Sequence, residues 1–268
     1  MEARASGIIN TMMAAITATN KPRTSKTYAI VTAALRDLTS CIDSIGELLE
    51  RMYEGCDPTI FYHRIRPFLA GSQNMEAAGL PRGVFYDEGN GKGEWRHYRG
   101  GSNGQSSLIQ FFDVVLGVDH GTGGSPGKKS YHDEVKEYMP GPHRRFLEHI
   151  SRMGSLQNFI VGSKSTTGYL SEDTERMTTA YEAATEALAR FRGKHIQIVA
   201  RYIILPSKQP VVGDKGRKRV NLASCSSGLS AAMLKGGTGQ LVGSGGTDMV
   251  PFLKKSREET LDAGRLVR

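Results

Sequence analysis

Cysteine is scarce in this sequence. Cys41, Cys56 and Cys225 are odd in number, widely separated and form no C-x-x-C pair. That argues against a disulfide scaffold and a thiolate zinc site, and fits a reducing, cytoplasmic compartment. No stretch of roughly 18 uncharged apolar residues occurs, so a membrane-spanning helix is not expected. Ile8 to Ala18 is only mildly apolar. With Glu2 before it and Asn10 and Thr11 inside it, it reads as the first helix of a domain rather than a secretory segment. Runs of alternating apolar and polar residues, the mark of half-buried strands, are also missing. So is H-E-x-x-H, and His63, His97, His120, His132, His143 and His149 form no metal signature. The stretch VVLGVDHGTGGSPGKKS imitates a phosphate-binding loop. Thr122 stands where that motif needs glycine, however, and Ser130 falls one position late.

What is present is an ordinary globular composition, with 38% AVILMFWYC and 32 glycines, which excludes wholesale disorder. The formal charge is +8. Much of the excess lies between Lys208 and Lys235, where six Lys/Arg face one Asp in a Gly/Ser-rich stretch. The remainder is nearly balanced, so a nucleic-acid partner is a weak reading.

The dominant pattern is helical, and the expected class is all-α. Val31, Leu35, Leu38, Ile42, Ile45, Leu49 and Met52 recur at steps of three and four. Asp57 and Pro58 restart a helix after Gly55, Asp as N-cap and Pro at the first position, with Pro67 bending or ending it. Residues 71–105 read as a long loop, and Ser106 to about Val118 as a helix buried on most sides. Shorter helices are expected at 131–139, 142–153 and 155–161. Met177, Tyr181, Ala184, Leu188, Phe191, His195, Ile198 and Tyr202 then form one continuous seam of about seven turns, ended by Pro206. Domain boundaries follow: a helical domain at 1–206, a basic, Gly-rich loop at 207–246, and a C-terminal helix and tail at 247–268, capped by Thr247 and Asp248.

His195 is the one polar member of the seam and should point inward, where an imidazole needs hydrogen-bond partners or a metal. Arg192 lies three residues earlier on nearly the same face. Asp113 interrupts the apolar 108–118 helix, and a buried Asp needs a cation, for which a guanidinium is well suited. A neutral histidine with an arginine for an anionic group is what a haem with propionates requires; a structural core histidine is the alternative. In FYHRIRP, Arg66 lies five residues after Phe61 and four after Tyr62, an arrangement able to hold an aromatic amino acid by ring and carboxylate, or equally a core edge with a surface arginine. The Gly-rich segments 100–104 and 243–246 each precede a helix, where exposed amides suit an anion or merely cap the loop.

Five segments carry a resemblance: FYHRIRPFLAG (61–71), GGSNGQSSLIQFFDVVLG (100–117), EYMPGPHRRFLEHI (137–150), AYEAATEALARFRGKHIQIVARYIILP (180–206) and GGTDMVPFLK (245–254). In this order they resemble the indoleamine 2,3-dioxygenase family. The resemblance implies haem b as cofactor and a reaction in which dioxygen is inserted across the indole C2–C3 bond of L-tryptophan to give N-formylkynurenine. It places His195 at the proximal iron ligand, and Arg192 and Asp113 at the ion pair beneath the haem, the Arg also supporting a propionate. Arg66 falls at the residue that binds the substrate carboxylate, and Phe61 and Tyr62 at the aromatic pair lining the indole pocket. Ser102 belongs to the segment over the haem, followed by Asn103 where a small residue is common. Thr247 falls on the loop that closes over tryptophan. In the family, a small domain and a distal helix precede the point matched by Met1. The resemblance therefore implies either a longer polypeptide or an exposed haem pocket, and leaves a non-catalytic haem protein or sensor as the alternative to an enzyme.

Overall fold

In the computed structural model, described over residues 1–73, 75–101, 105–121, 131–167, 171–208 and 249–267, the apolar spacing converts directly into helices. Helix α1 (Glu2–Thr19) buries Ala5, Ile8, Met12, Ala15 and Ile16 along one stripe. Helix α2 (Ser25–Glu50) buries Val31, Leu35, Leu38, Ile42, Ile45 and Leu49, the stripe read from the sequence. The two pack on one another across a short turn, burying both stripes. Thr24 caps α2 by accepting a hydrogen bond from the Thr27 N–H.

The short helices α3 (Met52–Gly55) and α4 (Pro58–Ile60) follow, the latter capped by Asp57, whose carboxylate accepts the Ile60 N–H at 2.8 Å. Past a hairpin and a loop come α5 (Ser107–Leu116), α6 (Tyr131–Lys136), α7 (Gly141–Met153) and α8 (Leu156–Thr167). Helix α6 is shorter than the expected 131–139, and α8 runs past the expected 161. The long helix α9 (Glu172–Val199), a terminal turn α10 (Leu205–Ser207) and α11 (Met249–Arg265) complete the described elements. Helix α5 is buried on nearly every side through Leu108, Phe111, Phe112, Val115 and Leu116, and packs on α1, α7 and α8. Gly117, at φ 70°, ends it in the left-handed conformation.

The chain divides into two compact units. One comprises Met1–Arg51, Gly104–His195 and Lys254–Arg268; the other Met52–Asn103 and Ile196–Leu253. Among the described residues the fold is all-α except for one hairpin, and no helix is long and apolar enough to cross a membrane. The expected basic loop lies outside the described residues from position 209 onward, as does the Thr247–Asp248 cap.

Three local features depart from the sequence reading. The expected 71–105 loop contains an antiparallel hairpin, β1 (Val84–Gly89) with β2 (Lys92–Arg96), closed at Asn90-Gly91 with φ of 52° and 73°. Its strands are exposed on both faces, so no apolar alternation marked them, although Asn-Gly is a strong hairpin signal. The seam helix changes to a π-turn at Ala200–Ile204 and then ends at Ser207, one residue past Pro206. A second π-turn, Phe61–Ile65, runs into a 3-10 turn, Arg66–Leu69, so Pro67 bends the path without ending it.

Within the second unit the GG pair of the 100–117 segment is pinned to the end of the 61–71 segment. The Gly101 N–H donates to Leu69 O at 2.9 Å, and a Cβ on Gly100 would overlap the backbone at Leu69, Ala70 and Gly71. Gly100→Ala is therefore expected to destabilise the protein by about 1–3 kcal/mol, the range for overpacking. Urea denaturation compared with a Gly101→Ala control, whose Cβ has room, checks this.

Candidate haem-binding residues and substrate segment

The seam of α9 is buried at Met177, Tyr181, Ala184, Leu188, Phe191, Ile198 and Tyr202. His195 alone among the eight is only half-buried, so its ring is not sealed in the core. Among the described residues its imidazole makes no hydrogen bond and no ion pair. Burial, and then the Arg192 charge, lower its pKa, favouring the neutral ring. A neutral imidazole with no protein partner is the state and the exposure that a metal centre can use, whereas a structural core histidine is normally hydrogen-bonded. His195 thus fits a residue that would hold a haem iron.

One turn earlier, Arg192 is buried and paired. Its Nη2 donates to both oxygens of Asp113, at 2.7 and 2.8 Å, and its Nη1 donates to Thr260 Oγ1 on α11. Thr260 in turn donates to Ser256 O at 2.8 Å. The structure brings together the Asp113 and Arg192 that the sequence singled out. These bonds use only part of the guanidinium's five N–H donors, so it would still have donors for an anionic group.

Sequence reasoning missed the rest of this cluster. His120, on the segment after α5, places Nε2 3.1 Å from Asp113 Oδ2, an ion-pair contact lying off the hydrogen-bond axis. Its Nδ1 lies 2.7 Å from Glu259 Oε2 on α11. The His132 ring stacks on His120 with centroids 3.9 Å apart and planes 10° from parallel. Burial would raise the Asp113 pKa, but Arg192 and His120 outweigh it and hold the carboxyl down at about 2. Burial lowers that of His132 to about 4, helped by the His120 charge. Among the described residues no group of three or more His, Cys, Asp or Glu is arranged to hold a metal ion.

The sign of each shift fixes a pH window. The stability that ionised Asp113 contributes is present above its ordinary 3.8 and lost as pH falls towards 2. His132 is depressed, so the unfolded chain binds more protons between its ordinary 6.5 and 4, and acidification through that window erodes stability. Thermal melts between pH 7 and 4 are expected to show a smaller acid-side loss in His132→Gln than in the parent protein.

In the second unit, the π-turn gives the 61–66 segment its geometry. The Arg66 N–H donates back to Phe61 O, setting position 66 one turn above 61, and Tyr62 lies beneath the guanidinium at 5.6 Å. Arg66 and Tyr62 are both buried, so the arginine is not at the surface, and burial lowers its pKa. Phe61 meets Tyr202 edge-on at 5.6 Å, and the Tyr202 hydroxyl donates to Met52 O and Cys56 O at 2.8 and 3.0 Å. A π-turn inside a helix is a frequent mark of a functional segment. Ser102, Asn103 and Thr247 lie outside the described residues.

The indoleamine 2,3-dioxygenase family model matches residues 1–263. The chain is 37% identical to an indoleamine 2,3-dioxygenase of Aspergillus nanangensis over 99% of its length and 58% of that protein. It is 40% identical to a 6-hydroxytryptophan 2,3-dioxygenase of Fusarium equiseti, over 87% of the chain and 52% of that protein. With the indoleamine 2,3-dioxygenase of Saccharomyces cerevisiae it shares 36% identity over 87% of the chain and 50% of the relative. The chain thus spans about half the length of the curated relatives it matches.

Proposed function

Because the chain belongs to the indoleamine 2,3-dioxygenase family, we propose that it supplies the proximal haem site and substrate arginine of a haem-dependent dioxygenase acting on L-tryptophan or a related indole. The observation that carries this reading is His195: the one half-buried, unpartnered member of an otherwise buried seam, one turn from a buried Arg–Asp pair. Haem b, when bound, supplies the iron that activates dioxygen for addition across the indole C2–C3 bond, giving N-formylkynurenine from tryptophan at the head of the kynurenine route.

The chain's own residues do the holding. The neutral imidazole of His195 would hold the haem iron, and Arg192, anchored by Asp113 and Thr260, would offer its remaining N–H donors to a propionate. Arg66 binds the substrate carboxylate. Burial strengthens that ion pair, because a guanidinium taken out of water gains more from a carboxylate than an exposed one does. Phe61 and Tyr62 line the indole site, and Tyr62 adds a hydroxyl where the family usually has a second phenylalanine. Ser102 and Thr247, outside the described residues, are assigned by resemblance alone: Ser102 to the segment near the haem, Thr247 to a substrate-closing loop that would exclude water. Reactants held in this orientation need little further ordering to react. The 6-hydroxytryptophan relative supports keeping ring-substituted indoles within the substrate class. A cytoplasmic setting suits the free Cys41 and Cys56.

The experiment is a haem titration followed by tryptophan addition. One Soret-absorbing site per chain and a tryptophan-induced spectral shift are expected. Arg66→Gln is expected to weaken the tryptophan response by 10²-fold or more, about 3 kcal/mol, while leaving haem binding intact. An Arg66→Gln protein that responds to tryptophan as the parent does would remove Arg66 from the site.

A further inference from the structure

We propose that His120, as an imidazolium held between Asp113 and Glu259, is a positioning residue that clamps α11 to α5 and fixes the orientation of Arg192 near the proposed haem site. The argument starts from the ring's two neighbours. Carboxylate oxygens face both nitrogens, Glu259 Oε2 at 2.7 Å from Nδ1 and Asp113 Oδ2 at 3.1 Å from Nε2. A neutral imidazole has one N–H and one lone pair, so it would turn that lone pair against a carboxylate. Only the doubly protonated ring is attracted to both. All three side chains are largely withdrawn from solvent, at 11%, 7% and 17% exposure for His120, Asp113 and Glu259.

Charge balance points the same way. Among the groups withdrawn from solvent, Asp113 and Glu259 carry two negative charges and Arg192 one positive charge, so the His120 proton balances them; the Lys255 ammonium near Glu259 is 60% exposed and screened by water. Other groups face the ring as well. His132, stacked on it, is held neutral by burial and by the His120 charge. Lys255 Nζ lies 3.6 Å from the second Glu259 oxygen, and Lys136, paired with Asp133 at 3.0 Å, lines the same cavity as His120, His132 and Asp119. Burial and Arg192 act against the imidazolium, but Asp113 and Glu259 outweigh them and its pKa is raised. A raised histidine stabilises the fold fully below its ordinary 6.5, and that stability is lost as pH rises through the folded value. The clamp therefore releases on the alkaline side, freeing α11 from Asp113 and leaving Asp113 to Arg192 alone.

The effect on the haem rests on the function proposed above; the clamp itself does not. Two measurements on the full chain separate them. In the apoprotein, two-dimensional NMR of the histidine rings should show His120 titrating above 6.5, and melts should show an alkaline-side fall in Tm that is absent in His120→Gln and reduced in Glu259→Gln. In the haem-loaded protein the midpoint potential should fall as pH rises through the same window, since loss of a nearby positive charge disfavours the ferrous state, and His120→Gln should flatten that slope without changing haem stoichiometry. If His120 titrates at or below 6.5, or if His120→Gln keeps the parent's alkaline Tm profile, the clamp is wrong. If the apoprotein behaves as expected but the potential has the same slope in both proteins, His120 is a structural clamp with no action on the haem, and the positioning role is overturned. Failure of the parent protein to bind haem refutes the function reading instead, and leaves the apoprotein measurements to decide the clamp.

Discussion

Replacing His195 with alanine is expected to abolish stoichiometric haem binding while leaving the helices folded. The seam of α9 buries seven apolar residues around this position, and a half-buried imidazole with no protein partner contributes little to that packing. Its loss removes the seam's one imidazole, and the other side chains there with lone pairs, Met177, Tyr181 and Tyr202, are sealed in the core. The Soret band formed on titrating the parent protein with haem should be absent or shifted to that of weak, non-specific haem. Far-ultraviolet circular dichroism and Tm should change little, because a cavity open to solvent fills with water. Added imidazole should restore part of the Soret band by occupying the vacated position. An unchanged spectrum at equal stoichiometry would assign the iron to another ligand.

The second large effect lies one turn away. Asp113→Ala should destabilise the protein by about 3–5 kcal/mol, because it strands a buried guanidinium and a buried imidazolium without their shared carboxylate. For a chain of this size that corresponds to a fall in Tm of roughly 10 °C. The paired replacement Asp113→Leu with Arg192→Met should cost less than the two single changes added together, since it leaves no stranded guanidinium and His120 keeps its contact with Glu259. Simple additivity of the singles would show that the two side chains do not interact. Haem affinity should fall in Arg192→Met even where folding survives, since the positive charge and N–H donors proposed to meet a propionate go with the guanidinium.

How far these sites were legible depends on where their parts lie in the chain. The α9 seam could be read because a single helix projects its spacing directly onto one face, and every apolar member of it is buried. Asp113 announced its need for a cation because nothing else in 108–118 is charged, and Arg192 was the guanidinium beside the seam. His120 and Glu259 carried no such signal: 139 residues separate them, and the contact exists only because α11 folds back against α5 and α9. Thr260 is equally remote from Arg192, at 68 residues. The hairpin was present as Asn90-Gly91 but was masked by strands with no buried face. The π-turn at Phe61–Ile65 has no spacing signature of its own; ideal helical geometry put Phe61, Tyr62 and Arg66 near one face, and the wider turn brings Arg66 directly over Phe61.

The most direct test of the central claim is tryptophan-dependent formation of N-formylkynurenine by the haem-reconstituted, reduced protein, followed by absorbance under dioxygen. The account predicts steady product formation that requires His195 and is lost or strongly weakened in Arg66→Gln. Absence of product from protein that holds haem through His195 and binds tryptophan would contradict the dioxygenase assignment for this chain and leave a non-catalytic haem protein.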